Sequence, residues 1–328
     1  MIRAAAIRAE GHLRRTPMLE SDGLNRLAGR RVLVKAECLQ HTGSFKARGG
    51  WAALSAMTPD ARARGVIAFS SGNHAQGVAR AAAAFGAPCV IVMPSDAPAV
   101  KIANTRALGA ESVLYDRATE DRDAIAAPIA EARGLTLIKP FDDPQVIAGQ
   151  GTTGLEIAGQ AAEAGVNSAD VLTCCGGGGL AAGIALALEA DAPGLRVRTA
   201  EPAGFDDVAR SLTAGERLGN PSASGSICDA ILTPMPGALT FPVLRRLAGP
   251  GLAVTDSEAL AAMRAAFEHL RIVLEPGGAV ALAAALCRGG EIEGDAVIVV
   301  ASGGNVDAYV FATALGAQGS SGAIRKSA

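Results

Sequence analysis

Short runs of β-branched and aliphatic residues alternate with alanine-rich stretches along nearly the whole chain. That alternation restricts the fold to parallel sheets covered by helices. Val66–Phe69 reads as a strand followed by a helix over Asn73–Phe85. Pro88–Met93 is the next strand, with a helix over Pro98–Leu108. Val113–Tyr115, a helix from about Arg122 to Ala132, and Leu135–Ile138 close this first series. A second series begins near Gly149. It holds the strand Val171–Cys175, the helix Leu180–Ala190, the strand Leu195–Ala200, the helix Ser257–His269 and the strand Ala296–Ala301. Upstream, Arg31–Glu37 reads as a further strand. The order predicts an α/β protein with two open, twisted, mostly parallel sheets and helices on both faces. A small lobe would span 52–140, and a large lobe would combine 1–51 with 141–328. Hydrophobic residues make up 49% of the chain but aromatic ones only 3%, so the core is built from Ala, Val, Leu and Ile.

The formal net charge of −2 argues against a nucleic-acid or anionic-membrane partner. Gly, Pro or charge interrupts every apolar run before it could span a bilayer, and the N-terminus lacks the apolar core of a signal peptide. Six cysteines without Cys-x-x-Cys spacing predict neither a disulfide framework nor a zinc site. The expectation is a soluble cytoplasmic protein.

Candidate chemistry gathers at strand-to-helix turns, where open α/β sheets bind ligands. Lys46 follows the turn Gln40–Gly43, and a helix is expected to open at Ser44. A lysine at a helix start meets the positive end of the dipole. With burial, that lowers its pKa, as a Schiff-base lysine requires. A lone lysine is more often a solvated surface group, so its company decides. Gly176–Gly179 follows a strand and opens a helix, a side-chain-free turn that suits phosphate or simply allows tight packing. Ser70–His74 is a second such turn, either an anion site or an ordinary N-cap. Ala301–Asn305 repeats the design, with Ser302 projecting from the strand end. Glu275–Gly278 precedes the helix Ala279–Leu286. Glu201, Asp206 and Asp207 could hold a hard cation through oxygen or form a solvated acidic loop. The remaining histidines lack metal-ligand spacing, and no Ser/His/Asp triad emerges.

Taken in order, these blocks resemble the fold-type II pyridoxal phosphate (PLP) enzymes, the fold of the tryptophan synthase β chain. Within them the match is to the serine/threonine dehydratase and serine racemase group. The matching blocks are Thr42-Gly-Ser-Phe-Lys-Ala-Arg-Gly49, Ser70-Ser-Gly-Asn-His-Ala-Gln-Gly77 and Val146-Ile-Ala-Gly-Gln-Gly-Thr152. They continue with Gly176–Gly179, Glu201–Asp207, Glu275–Gly278 and Ser302-Gly-Gly-Asn-Val-Asp307. The resemblance implies that Lys46 carries PLP, that Phe45 flanks its ring and that Asn73 bonds its phenolic oxygen. Gly176, Gly177, Gly178 and Gly179 would grip the phosphate, and Ser302 would meet the pyridine nitrogen. Ser71, Gly72, Asn73 and His74 would bind the substrate carboxylate. Glu201, the Phe205 carbonyl and Asp207 match the group's Mg²⁺ or Ca²⁺ ligands.

Finer signals divide. Ser71 resembles the acid/base of the racemases, where typical threonine deaminases have alanine. Arg122 resembles the racemase and 3-hydroxyaspartate dehydratase branch, and would pair a second substrate carboxylate. Glu275-Pro-Gly-Gly-Ala-Val-Ala-Leu and Phe141-Asp-Asp-Pro144 look like bacterial threonine/serine dehydratases. The leading expectation is elimination of L-threonine and L-serine to a 2-oxo acid and ammonia, with Lys46 and Ser71 catalytic. Serine racemase or 3-hydroxyaspartate dehydratase is the alternative. From other classes come a non-catalytic PLP or amino-acid-binding protein and a nucleotide-binding oxidoreductase. The group further implies a homodimer, and the chain's end soon after the Ser302 block implies no C-terminal regulatory domain.

Overall fold

The computed structural model describes residues 1–70, 72–97, 99–116, 119–222 and 224–316. Of the Gly- and Ser-rich tail 316–328, expected from its composition to fray, residues 317–328 lie outside them. Ten strands form two sheets. They are β1 (Met18–Leu19), β2 (Arg31–Lys35), β3 (Val66–Phe69), β4 (Cys89–Pro94), β5 (Glu111–Tyr115), β6 (Thr136–Leu137), β7 (Ala169–Cys174), β8 (Leu195–Pro202), β9 (Leu252–Val254) and β10 (Ala296–Val300). The larger sheet has the order β1-β2-β10-β7-β8-β9, and only β1 runs antiparallel to its neighbour. The smaller sheet, β5-β4-β3-β6, is wholly parallel. This is the α/β architecture the alternation predicts.

Central strands are buried along their length, as strands covered on both faces must be. Helices start where the local chemistry allows. Asp143 caps the helix Pro144–Glu163 by accepting from the N–H groups of Gln145 and Val146. Thr255 and Glu258 form a reciprocal capping box on Asp256–Leu270. Between the sheets, the helix Lys46–Ala56 packs on both Asn73–Phe85 and Pro144–Glu163. A Cβ at Gly77 would lie 2.6 Å from the Lys46 carbonyl oxygen, and one at Gly50 would lie 2.5 Å from that of Gly77. The two helices therefore touch backbone to backbone, which brings Lys46 beside the start of Asn73–Phe85.

The sequence-based reading under-reports helix. Pro144–Glu163, announced only as a series beginning near Gly149, is a helix of 20 residues whose apolar and small residues face other helices on several sides. Such all-round burial leaves no clear amphipathic period to read.

Candidate active site

The site lies where the carboxyl ends of β2, β7 and β10 face that of β3. After β2 the chain makes two short 3₁₀ turns, Glu37–Leu39 and His41–Gly43, with Thr42 at φ 58°. Ser44 is extended and bridges Gly303, and the Phe45 N–H donates to the Ser302 carbonyl at 3.0 Å. These contacts hold Ser44 out of the helix, which follows Phe45 as its N-cap and begins at Lys46 rather than at the expected Ser44. Lys46 and Ser302 are thereby tied together through backbone.

The Lys46 ammonium donates to the Pro140 carbonyl at 2.8 Å and lies 5.1 Å from the centroid of the Phe45 ring. Desolvation pushes its pKa down to about 8, only partly opposed by Cys174 and Glu275. It borders a cavity of about 180 Å³. The Gly176–Gly179 turn forms one wall, between β7 and the helix Gly179–Asp191. Gly178 has φ +91°, and a Cβ on Gly177 would lie 2.3 Å from the Phe141 ring. The Gly177 carbonyl accepts from Thr240 Oγ1 at 2.6 Å and from the Gly237 N–H at 3.1 Å. No side chain caps the helix. Its first N–H groups can therefore serve an anion.

Asn73 joins three sequence blocks. Its Nδ2 donates to Glu275 Oε1 at 2.5 Å, and its Oδ1 accepts from Asn305 Nδ2 at 2.7 Å. Asn305 also donates to the Thr42 carbonyl. Burial pushes the Glu275 carboxyl up to about 7, opposed by Lys101 and Asn73, and its Oε2 has no partner. Ser302 Oγ accepts from the Cys174 thiol at 2.9 Å. Burial raises that thiol to about 11, so it keeps its proton. The Ser302 hydroxyl proton is left to donate to a third group.

Gly72 borders the cavity and precedes the uncapped helix Asn73–Phe85. Ser71 lies outside the described residues. The His74 side chain is already committed. Its Nε2 is bonded to the Ile138 carbonyl at 2.9 Å, and burial pushes its pKa down to about 3. The ring is neutral, with its one proton committed to Ile138, so only the backbone N–H of His74 can serve a carboxylate. Arg122 lines the cavity at its rim, its guanidinium 4.6 Å from the Phe69 ring centroid and 3.7 Å from the Asp123 carboxylate.

The acidic trio sits apart from this cavity. Both Glu201 oxygens accept backbone N–H groups, from Val208 and Ala209, each at 2.8 Å. Burial pushes Glu201 well above the carboxylate range and Asp207 up to about 6. Asp207 Oδ2 is buried without a partner among the described residues, an orphan a cation would satisfy. Among the described residues no three His, Cys, Asp or Glu side chains cluster as metal ligands. The expected set has only two carboxylates, Glu201 and Asp207, with the Phe205 carbonyl as its third member.

Sequence reasoning missed Lys101 and Asp229, both in the cavity wall, because neither stands in a glycine-marked turn. Asn305 lay inside a quoted block, and Cys174 near the end of the strand Val171–Cys175, each without a role.

A desolvated lysine, an anion cradle and a neutral hydroxyl around one cavity define an enzyme site for a phosphorylated carbonyl cofactor. The model of the pyridoxal-phosphate dependent enzyme family matches residues 9–303, and the chain belongs to that family. It is 41% identical to the L-threo-3-hydroxyaspartate ammonia-lyase of Pseudomonas sp., over 95% of this chain and 96% of that one. Serine racemase of Oryza sativa subsp. indica is 37% identical, over 94% of this chain and 91% of that one. The crystal structure of a threonine deaminase from T.th. superposes with a TM-score of 0.88 at 44% identity, covering 93% of this chain and 97% of that one. PLP is the cofactor, and the site fits it: the uncapped glycine turn has no room for a side chain, since a Cβ on Gly177 would strike Phe141 and one on Gly178 would strike Thr240, and the lysine is partly neutral near pH 8. No helix among the described residues is long and apolar enough to cross a membrane.

Proposed function

We propose that the chain is a PLP-dependent ammonia-lyase of β-hydroxy amino acids, with L-threo-3-hydroxyaspartate preferred over L-serine and L-threonine. One observation carries the preference: the Arg122 guanidinium in the cavity rim, a group suited to a second substrate carboxylate. The 41% identity to a hydroxyaspartate ammonia-lyase supports it.

In this reading Lys46 holds the cofactor, Phe45 flanks its ring, Asn73 contacts its phenolic oxygen and Gly176–Gly179 bind its phosphate. The cofactor supplies the electron sink for a carbanion at Cα. Ser302 offers the ring nitrogen a neutral hydroxyl, which leaves that nitrogen unprotonated and favours loss of a β-substituent over transamination. N–H groups of Asn73 and His74 hold the α-carboxylate, with Ser71 as a further ligand. The Lys46 amine, neutral above about pH 8, takes the Cα proton. The β-hydroxyl then leaves as water, and hydrolysis of the enamine product yields 2-oxo acid and ammonia. Glu201, the Phe205 carbonyl and Asp207 hold Mg²⁺ or Ca²⁺, and the active form is a homodimer. A second reading, serine racemisation with Ser71 as the opposing acid/base, is favoured by the 37% identity to serine racemase.

The test compares kcat/KM for release of 2-oxo acid from L-threo-3-hydroxyaspartate, L-serine and L-threonine, in wild type and Arg122→Ala. The expected result is a wild-type preference for hydroxyaspartate that falls about 10- to 100-fold in Arg122→Ala, while L-serine and L-threonine change little. An unchanged preference removes Arg122 from recognition. Racemisation of L-serine faster than any elimination favours the second reading.

A further inference from the structure

A buried ammonium that makes no hydrogen bond among the described residues stands in the cavity wall. It belongs to Lys101, on the helix Ala99–Ala107 between β4 and β5, which is only 7% exposed. Its ion partner is Asp229 Oδ2 at 3.7 Å, on the turn Asp229–Ile231 between β8 and β9, so the pair joins elements of the two sheets across the cavity. Removing an ammonium from water is costly unless it is both paired and hydrogen-bonded. Asp229 supplies charge at a distance too long for a hydrogen bond, and its own side chain is half exposed.

The neighbourhood of Lys101 points to an anion. A Cβ built on Gly72 would lie 3.0 Å from Lys101 Cδ and 3.4 Å from its Nζ, so the lysine lies along the start of the helix Asn73–Phe85. No side chain caps that helix. The N–H groups of Asn73 and His74 and an ammonium without a hydrogen bond among the described residues therefore converge on one part of the cavity. Each favours negative charge there.

We propose that Lys101 is a ligand of the substrate's α-carboxylate, acting with the N–H groups of Asn73 and His74. Asp229 is its resting partner, exchanged for the substrate on binding. The inference rests on the amino-acid lyase reading for the identity of its ligand. It divides labour within the cavity: Lys101 serves every amino acid, whereas Arg122 serves only those with a second carboxylate.

Glycine tests this without chemistry, because it has no β-substituent to lose. Its binding to the PLP-loaded enzyme is titrated through the visible absorbance of the cofactor. In Lys101→Met the Kd for glycine rises about 10- to 100-fold, the size of a lost charge-assisted bond, and the unliganded visible band is unchanged. KM rises by a similar factor for L-serine, L-threonine and 3-hydroxyaspartate alike. Lys101→Arg recovers part of the loss, and Asp229→Asn binds glycine as tightly as wild type or more tightly. Unchanged glycine affinity in Lys101→Met overturns the proposal, as does a loss confined to 3-hydroxyaspartate. An equal loss in Asp229→Asn also overturns it, because the pair is then a strut between the sheets. A wild-type enzyme that binds glycine yet eliminates no hydroxy amino acid defeats the lyase reading alone, since the glycine titration still judges Lys101.

Discussion

At the scale of single residues, burial sets the chemistry of the site. An ordinary lysine titrates near 10.5, but desolvation lowers Lys46 to about 8. Attack on the cofactor aldehyde needs the neutral amine, whose fraction rises with pH up to and through that value. Uptake of PLP by the apo protein should accelerate between about pH 6.5 and 8.5 and then level off, rather than climbing toward pH 10. Stopped-flow absorbance at several pH values reads this directly. A rate still rising steeply above pH 9 would mean that the lysine keeps its ordinary pKa. Glu275 is the matching case of opposite sign. Burial holds it protonated for part of the time at neutral pH, which limits the repulsion a dry, negatively charged carboxylate would exert on an incoming anion.

At the scale of elements, close helix contact places the lysine. Behind Lys46, Arg48 donates to Glu37 and Glu156, and Lys35 donates to Glu156, Gln160 and the Thr16 carbonyl. Two cations and two carboxylates cancel in this network, which joins β2 to both Lys46–Ala56 and Pro144–Glu163. On the other side, the glycines at 50 and 77 let Lys46–Ala56 meet Asn73–Phe85. Gly77→Ala forces a methyl to within 2.6 Å of the Lys46 carbonyl. It should cost about 1–3 kcal/mol of stability and slow cofactor uptake as well, because the strain falls on the helix that carries Lys46. Gly159→Ala is the control, since nothing lies within 4 Å of its Cβ and it sits inside a helix. There alanine should be neutral or stabilise by up to about 1 kcal/mol. Denaturant midpoints and the rate at which the visible band forms check both variants. Equal behaviour of the pair would show that the helices separate without penalty.

For the whole molecule, two sheets share one cavity. Arg122 and Lys101 belong to the segment carrying the smaller sheet, and the glycine cradle and Ser302 belong to the larger one. The proposed cation lies at the end of β8, remote from the chemistry, so its effect should be on stability first. Chelator treatment of the holoenzyme should lower Tm, and added Mg²⁺ or Ca²⁺ should restore it. In Asp207→Asn the response to either should vanish. A Tm indifferent to chelator and ions in the wild type would leave Asp207 Oδ2 without the cation assigned to it.

Much of this was legible in the linear order of residues. Strand and helix periods are local, so Val66–Phe69 and Asn73–Phe85 emerge with the bounds read from the sequence. Glycine at strand ends is also a local signal, because only a side-chain-free turn lets backbone close on an anion, and it marked Gly72, Gly176–Gly179 and Gly303. The tertiary structure alone decided the partnerships. That Asn73 is held by Glu275 and Asn305, that Cys174 donates to Ser302 and that His74 spends its proton on Ile138 are contacts between distant segments. Lys101 gained its place the same way: it is one lysine among several in the chain, and only packing of two sheets around a cavity strips its water and sets it in the cavity wall.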